Sequence, residues 1–477
     1  MLKNLRQPKG LPVFFLTEMW ERYGFYVLQT LLVLFLSQHF QFSDVQSYSV
    51  LGSFTALSYA MTILGGYIAD KALGYRHAVI LGGLLLSIGY ACLTYSYNIQ
   101  LFYVSLAIVT TGTGLFKPNV SSLLGTLYSA EDKRRDAGYT LFYVGINFGI
   151  ISASALSGYL VRYYGWHYAF ASASLMLIVG VITFIWGTLH YKIYDKRPIQ
   201  RSFLKYIATY LMLIVFIASC TVIMQNETWS LIFFALMCVA ILFVLGFIAL
   251  VESGRQRRRI FAYCMLILLS IVFWAIYFQL FFSLTLFIER VVSHQILGFT
   301  IPTPAMVCIE SAGIIILGPI LGRIWTRLNQ AKRPVSIPAK FSFGIGFLVI
   351  AFALLYFGIL FTASAAQVML PWLILAYLAI SIGELALSPI GLAMVVELAP
   401  PRFVGLMMGI FLVSLGLGGK VAGLIANIAA LPSGTHTIEQ MKAMYQHAFL
   451  IYTWVALAAT IVGIIFTPLI RRLIRDR

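Results

Sequence analysis

Apolar stretches of about 20 residues, each long enough to cross about 30 Å of hydrocarbon, follow one another along this chain with only short polar breaks between them. Their lengths predict helices at about 11–38, 47–69, 77–96, 101–126, 137–160 and 166–190 in the first part of the chain. Six more are predicted at about 259–288, 303–325, 341–363, 368–395, 403–430 and 445–470. Two further runs, about 203–224 and 229–251, lie between these groups and are joined by a short turn at Asn226 to Ser230. The pattern predicts an all-α polytopic membrane protein of about fourteen spans, with no break long enough for a soluble domain. Three segments are expected: a six-helix bundle over 1–195, an inserted hairpin over 196–256 and a second six-helix bundle over 257–477. The hairpin has no charge inside its apolar runs, so it is expected to serve as peripheral packing.

Composition supports the membrane reading, with 61% of the 477 residues hydrophobic and 10% charged, against about 45–50% and 25% in soluble domains. A net charge of +17 would suggest nucleic acid as a partner if the chain were soluble. Here the cations gather in alternate loops: Lys3, Arg6 and Lys9; Lys71 and Arg76; Lys133, Arg134 and Arg135; Lys192, Lys196, Arg197 and Arg201; Arg255 and Arg257 to Arg259; Arg327, Lys332 and Arg333; Arg471, Arg472, Arg475 and Arg477. By the positive-inside rule both termini are expected in the cytoplasm, which agrees with an even number of spans. No nucleic-acid partner is expected. The five cysteines fall in apolar segments without metal-ligand spacing and the seven histidines show none either, so neither a disulfide framework nor a metal site is expected. The first apolar run is too long for a signal h-region and carries charges, so no cleavable signal is expected.

Those charges are the first candidate site. Glu18, Glu21 and Arg22 stand at i, i+3 and i+4 on one helix face, with Tyr26 one turn further on. An ionisable group at mid-bilayer costs about 2.5–3.5 kcal/mol on insertion scales, so this face must turn toward protein or water. Lys117, beside the helix-breaking Pro118, needs an anion, supplied by Glu18, Glu21 or the carboxylate of a small substrate. A permanent structural salt bridge is the plainer alternative. Asn147, flanked by Gly145 and Gly149, suits hydrogen bonding to an amine or peptide group, and equally suits interhelical packing. Tyr59 is open to the same two readings. Glu384 is the acid deep in the tenth span of the two bundles; it either binds a cation or is hydrogen-bonded locally.

Four motifs carry a resemblance to known families. The loop from Gly65 to Arg76 resembles the Gly-x-x-x-Asp-x-x-x-Gly-x-[Arg/Lys] signature of major facilitators, in which Asp70 pairs with Arg76 or a helix N-terminus and latches the cytoplasmic side. A solvated loop is the alternative. The Glu18-x-x-Glu21-Arg22 motif, the Gly-Leu-Phe-Lys-Pro-Asn run ending at Asn119 and the Phe-Tyr-x-x-Ile-Asn-x-Gly run ending at Gly149 resemble the proton-dependent oligopeptide transporter family over nearly the whole chain. The resemblance implies a major facilitator fold with two extra central helices. It also implies a proton-coupled symporter that imports di- and tripeptides by alternating access, with no cofactor, in the bacterial inner membrane.

In the roles so implied, Glu18, Glu21, Arg22 and Lys117 couple protons, and Arg22 and Lys117 hold the peptide carboxylate. Asn147 and Glu384 take the amine end, and Tyr26 and Tyr59 bound the pocket. The chain departs from the family at Phe278, where many members carry an acid, and at Gln29, where they carry an arginine. The outer gate ion pair is therefore missing, leaving Gln29 and Gln279 as neutral gating positions beside Asp70 and Arg76. Glu310 stands where the family predicts asparagine, and Lys420 interrupts a small apolar stretch. Their opposite charges lead to the expectation that Glu310 and Lys420 pair; otherwise Glu310 strengthens binding of the substrate ammonium. These two departures keep open a transporter of another small substrate, such as an amino acid, a peptide-like metabolite or an exported compound. An ATP-driven pump is not expected, because no nucleotide-binding glycine loop is present, and neither is an enzyme. The working unit is expected to be a monomer in the lipid bilayer.

Overall fold

The computed structural model describes residues 7–129, 132, 134–195, 203–296, 298–432 and 434–474. Of the loop cations named above, Lys3, Arg6, Lys133, Lys196, Arg197, Arg201, Arg475 and Arg477 lie outside the described residues, as do both chain ends. Fifteen α-helices make up nearly all of the described chain. They are α1 (Leu11–Gln38), α2 (Asp44–Ile68), α3 (Tyr75–Thr94), α4 (Ile99–Gly125), α5 (Arg135–Tyr164), α6 (Trp166–His190), α7 (Phe203–Gln225), α8 (Glu227–Val251), α9 (Gly254–Tyr277), α10 (Ser283–Val291), α11 (Val307–Gln330), α12 (Ile337–Leu360), α13 (Leu370–Leu398), α14 (Val404–Ala426) and α15 (Ile438–Ile474).

Among the described residues, thirteen helical segments are long and apolar enough to cross a membrane, with α9 and α10 together forming one, Gly254–Val291. The fourteenth expected span, α1, is 28 residues long, but Glu18, Glu21 and Arg22 lower its hydropathy below that of the others. A short antiparallel hairpin departs from the all-α pattern among the described residues, β1 (Gln295–Ile296) with β2 (Phe299–Thr300), turned at Gly298 with φ +83°. Strands this short leave no periodic signal in sequence.

The chain forms two compact units, Met1–Phe35 with Leu57–Asn226, and Leu36–Ala56 with Glu227–Arg477. In the first, α3 packs on α4 and α6, and α7 lies against α4. Ile68, Ala69, Leu73, Ala78, Leu115 and Leu213 form an apolar cluster where α7 meets the turn after α2. In the second, α12 packs on α13 and α15, α9 on α14, and α8 on α9. The two hairpin helices thus belong one to each unit. Both keep large apolar side chains such as Leu211 and Phe243 exposed, as a lipid-facing surface requires.

Proline and glycine set the local geometry near the buried charges. Pro118 has no N–H to give the carbonyl of Gly114, yet α4 continues through it. The Gly114 carbonyl faces Gly65 of α2 so closely that a Cβ there would lie 2.0 Å from the oxygen. Asn119 then ties the two helices by donating to Gly65 O at 3.2 Å as well as to Leu115 O at 2.7 Å. The carbonyl left short of a partner by proline thus packs against a glycine of α2, and the Asn119 amide links the two helices beside it.

Candidate functional site

Each unit holds charged side chains among its helices. In the first unit, Arg22 Nε and Nη2 each sit 2.5 Å from Glu21 Oε2, and Nε is 3.4 Å from Glu18 Oε1. All three residues are buried. The i, i+3 and i+4 spacing brings them onto one face as expected, and the guanidinium also covers the Phe25 ring at 5.0 Å. Glu18 Oε2 and Glu21 Oε1 are buried without a hydrogen-bond partner among the described residues, so each acid keeps an unused acceptor. Gly149 of α5 makes this packing possible, since a Cβ there would fall 2.3 Å from Met19 O and 2.9 Å from Arg22 Cβ.

Lys117 of α4 does not join that ion pair. Its ammonium lies over the Tyr59 ring, 4.5 Å from the centroid, and among the described residues no carboxylate is within 4.0 Å of it. The cation therefore sits on an aromatic face, a contact worth about 0.5–2 kcal/mol, weaker than a charged hydrogen bond and readily exchanged for one. Tyr26 is half-buried beside Phe25, and its carbonyl accepts the Thr30 hydroxyl at 2.8 Å. Asn147 is buried and donates to Tyr143 O at 3.0 Å within its own helix. Gln29 is buried with its carbonyl oxygen unpartnered among the described residues.

The expected Asp70–Arg76 latch is not formed. Asp70 accepts the Tyr75 hydroxyl at 2.7 Å, while Arg76 Nε donates to Thr188 Oγ1 at 3.0 Å. The N-terminus of α3 is held instead by Asp195, whose Oδ1 accepts from Tyr75 N at 2.7 Å and Arg76 N at 3.4 Å. A carboxylate at a helix start satisfies free N–H groups and opposes the positive end of the dipole, which explains why this partner wins. Asp195 follows α6, too far along the chain for a loop motif to reveal it.

In the second unit, Tyr277 at the end of α9 joins two acids. Its hydroxyl is 2.7 Å from Glu384 Oε2 on α13 and 3.3 Å from Glu310 Oε1 on α11. Ser311 donates to Glu310 Oε2 at 3.2 Å, and Ser381 ties α13 to α11 through the Glu310 carbonyl at 2.9 Å. Glu310 is buried and Glu384 half-buried. Gln279 occupies the break after α9, donating to Ala275 O and Ala422 O at 3.2 and 2.9 Å and accepting from Ser283 at 2.7 Å. Its observed work is to hold the break against α14.

Glu310 and Lys420 do not pair. Lys420 is 4% exposed, and its ammonium lies 2.9 Å from Glu227 at the start of α8 and 3.2 Å from Ser53 Oγ. Ser49 also donates to Glu227, and Ser53 shares a 2.8 Å hydrogen bond with Ser230. The inserted hairpin is therefore more than apolar packing. Its turn supplies the anion for a buried lysine, and the place of Glu227 at the mouth of a helix, where acids are common, hid that role. The signal for Tyr277 was present in the run from Phe273 to Gln279, but one tyrosine among 27 does not stand out.

The model of the POT family (PTR2) matches residues 76–447. Dipeptide and tripeptide permease A of Citrobacter koseri is 31% identical, with 100% of this chain and 95% of the permease covered. The permease of the same name from Escherichia coli K12 is 30% identical over the same shares. Among solved structures, a crystal structure of the peptide transporter POT in complex with alafosfalin superposes with TM-score 0.87 at 26% identity, covering 99% of this chain and 98% of the other. That of tetrameric PepTSo2 gives 0.86 at 27%, covering 97% and 98%. The fold is accordingly that of a major facilitator peptide transporter. With a family model spanning most of its length and full-length relatives at this identity, the chain belongs to the POT family.

Proposed function

We propose that this protein is a proton-coupled symporter that imports di- and tripeptides by alternating access. The observation that carries the reading is the contrast between two cations of the first unit. Arg22 is taken up by Glu18 and Glu21, while Lys117 rests on Tyr59 with no carboxylate within 4.0 Å among the described residues. A half-buried ammonium that rests on a ring, with no carboxylate within 4.0 Å among the described residues, is available to a substrate carboxylate. In this reading Lys117, with Arg22, receives the peptide's C-terminal carboxylate, and Glu384 and Asn147 receive its amino end. Tyr26 and Tyr59 contact the backbone. Glu310 stands beside Glu384 and shares the Tyr277 hydroxyl with it.

Protonation of Glu18 or Glu21 loosens Arg22 and so links proton binding to peptide binding. Such linkage needs the two ligands to favour the same conformational state by about 1–3 kcal/mol. Asp70, Arg76, Gln29 and Gln279 are assigned to gating through the neutral or capping contacts described above. No bond in the peptide is made or broken. The protein is placed in the bacterial inner membrane with both termini in the cytoplasm, and a single chain is the transporting unit. Lys420 does not demand another substrate, because it is already neutralised by Glu227.

The test is uptake of a labelled dipeptide by proteoliposomes, with and without an inward-acid gradient. Accumulation above equilibrium only with the gradient is expected. Equal uptake in both conditions rejects coupling, and no competition by unlabelled di- or tripeptides rejects the substrate class.

A further inference from the structure

The arrangement around Tyr277 has one donor too few. A phenol carries one hydroxyl proton, and its shorter contact, 2.7 Å, directs that proton to Glu384. Glu310 Oε1, at 3.3 Å, then faces the phenolic oxygen's lone pairs. Two acceptors facing each other inside a protein repel unless a proton lies between them. If Glu310 carries that proton, the chain becomes continuous: Glu310 donates to Tyr277, and Tyr277 donates to Glu384.

Among the described residues the surroundings supply no counter-charge. The titratable groups about Glu310 are Tyr277 from α9, Glu384 and Tyr377 from α13, and Cys308 from its own helix. The Tyr377 hydroxyl is buried with no hydrogen-bond partner among the described residues, so it does not satisfy Glu310. The nearby Ser311 hydroxyl donates to the other oxygen, Oε2, and the Glu384 carboxyl also faces Glu310 directly, so a proton on Glu310 relieves both approaches. Among the described residues no lysine, arginine or histidine forms an ion pair with either acid, and Lys420 is held by Glu227.

We propose that Glu310, Tyr277 and Glu384 form a proton-binding triad in the second unit, which carries one exchangeable proton per transport cycle in addition to that of the Glu18–Glu21–Arg22 cluster. Exchange proceeds in one concerted step. The O–H bond of Glu310 breaks as its proton passes to Tyr277 Oη, and the original Tyr277 proton passes to Glu384 Oε2. The phenol is regenerated, Glu310 is left as a carboxylate and Glu384 as an acid. Glu310 is 3% exposed and Glu384 half-buried, so the proton enters and leaves through Glu384. An incoming substrate ammonium at Glu384 stabilises its carboxylate and returns the proton toward Glu310.

The transport part of this inference rests on the proposed peptide symport, whereas the proton site itself does not, and the experiment separates them. The purified full-length protein is examined by infrared spectroscopy for carboxylic acid C=O absorption as pH is varied. The proton-to-peptide ratio is measured separately in proteoliposomes from the membrane potential and pH gradient that just balance a dipeptide gradient. Glu310→Gln is expected to remove one titrating carboxylic acid band and to lower the ratio by one proton. Tyr277→Phe, which keeps both acids and their direct approach but removes the phenol that carries the proton between them, is expected to lower the ratio by one; it also serves if Glu310→Gln does not fold. An unchanged ratio in the folded variants, or an unchanged carboxylic acid spectrum in Glu310→Gln, overturns the triad. If the wild-type protein moves no dipeptide, the symport reading fails while the infrared result still decides the proton site.

Discussion

The Lys420 ammonium lies 2.9 and 3.1 Å from the two carboxylate oxygens of Glu227, joining a buried point on α14 to the first residue of α8. Removing one partner of a fully buried ion pair costs about 3–5 kcal/mol; because the Glu227 side chain is 40% exposed, the cost here is expected to be smaller, about 1–3 kcal/mol. Glu227→Gln is expected to lower the Tm of the detergent-solubilised protein. Lys420→Met combined with Glu227→Gln should recover part of that loss, since no unpaired charge remains. Additive losses in the double variant would show that the pair is not coupled.

Lys117→Ala removes the cation assigned to the peptide carboxylate. A charge-assisted hydrogen bond of about 1.5–3 kcal/mol corresponds to about 10- to 150-fold in affinity. Dipeptide binding, measured by competition, is expected to weaken by that factor with little change in Tm, because among the described residues Lys117 has no carboxylate within 4.0 Å.

Glu21→Gln weakens the grip on Arg22, whose two nearest contacts are both to Glu21 Oε2. Gradient-driven accumulation is expected to fall while exchange of labelled for unlabelled peptide across the membrane persists. Loss of both activities in a folded variant would assign Glu21 to binding instead of coupling.

Gly149→Val tests the close approach of α5 to α1. Its Cβ would fall 2.3 Å from Met19 O, a backbone atom that cannot swing aside. Overpacking of this kind costs about 1–3 kcal/mol. Reduced folded yield and a lower Tm are expected, while Gly66→Ala, where nothing lies within 4 Å of a new Cβ, should be silent in both measurements.

Asp132 lies in the loop between α4 and α5, outside the spans, where hydrogen bonds from the side chain and backbone of Arg134 hold its carboxyl down at about 2. A carboxyl depressed in the folded state contributes stability that is present above its unfolded value, near 4, and is lost as pH falls through about 2. Asp132 therefore stays ionised over the range in which a proton symporter works. Asp132→Asn is expected to leave the shape of the uptake-against-pH curve between pH 5 and 8 unchanged, and a shifted midpoint would contradict this assignment.

Helix existence and approximate extent were set by the sequence alone. A run of apolar side chains about 20 residues long has one solution in lipid, because a helix satisfies its own backbone hydrogen bonds without reference to the rest of the chain. The Glu18, Glu21 and Arg22 contact is equally local, a matter of spacing on one helix. Partner choice between helices was decided by tertiary structure. Charge complementarity made Glu310 and Lys420 look like a pair, and Asp70 and Arg76 like a latch, yet packing gave Lys420 to Glu227, Glu310 to Tyr277 and the start of α3 to Asp195. Opposite charge is a property of single residues and can be read along the chain. Which charges meet depends on helix rotation and depth, and those are fixed by many small contacts such as Gly149 against Met19 and Gly65 against Gly114.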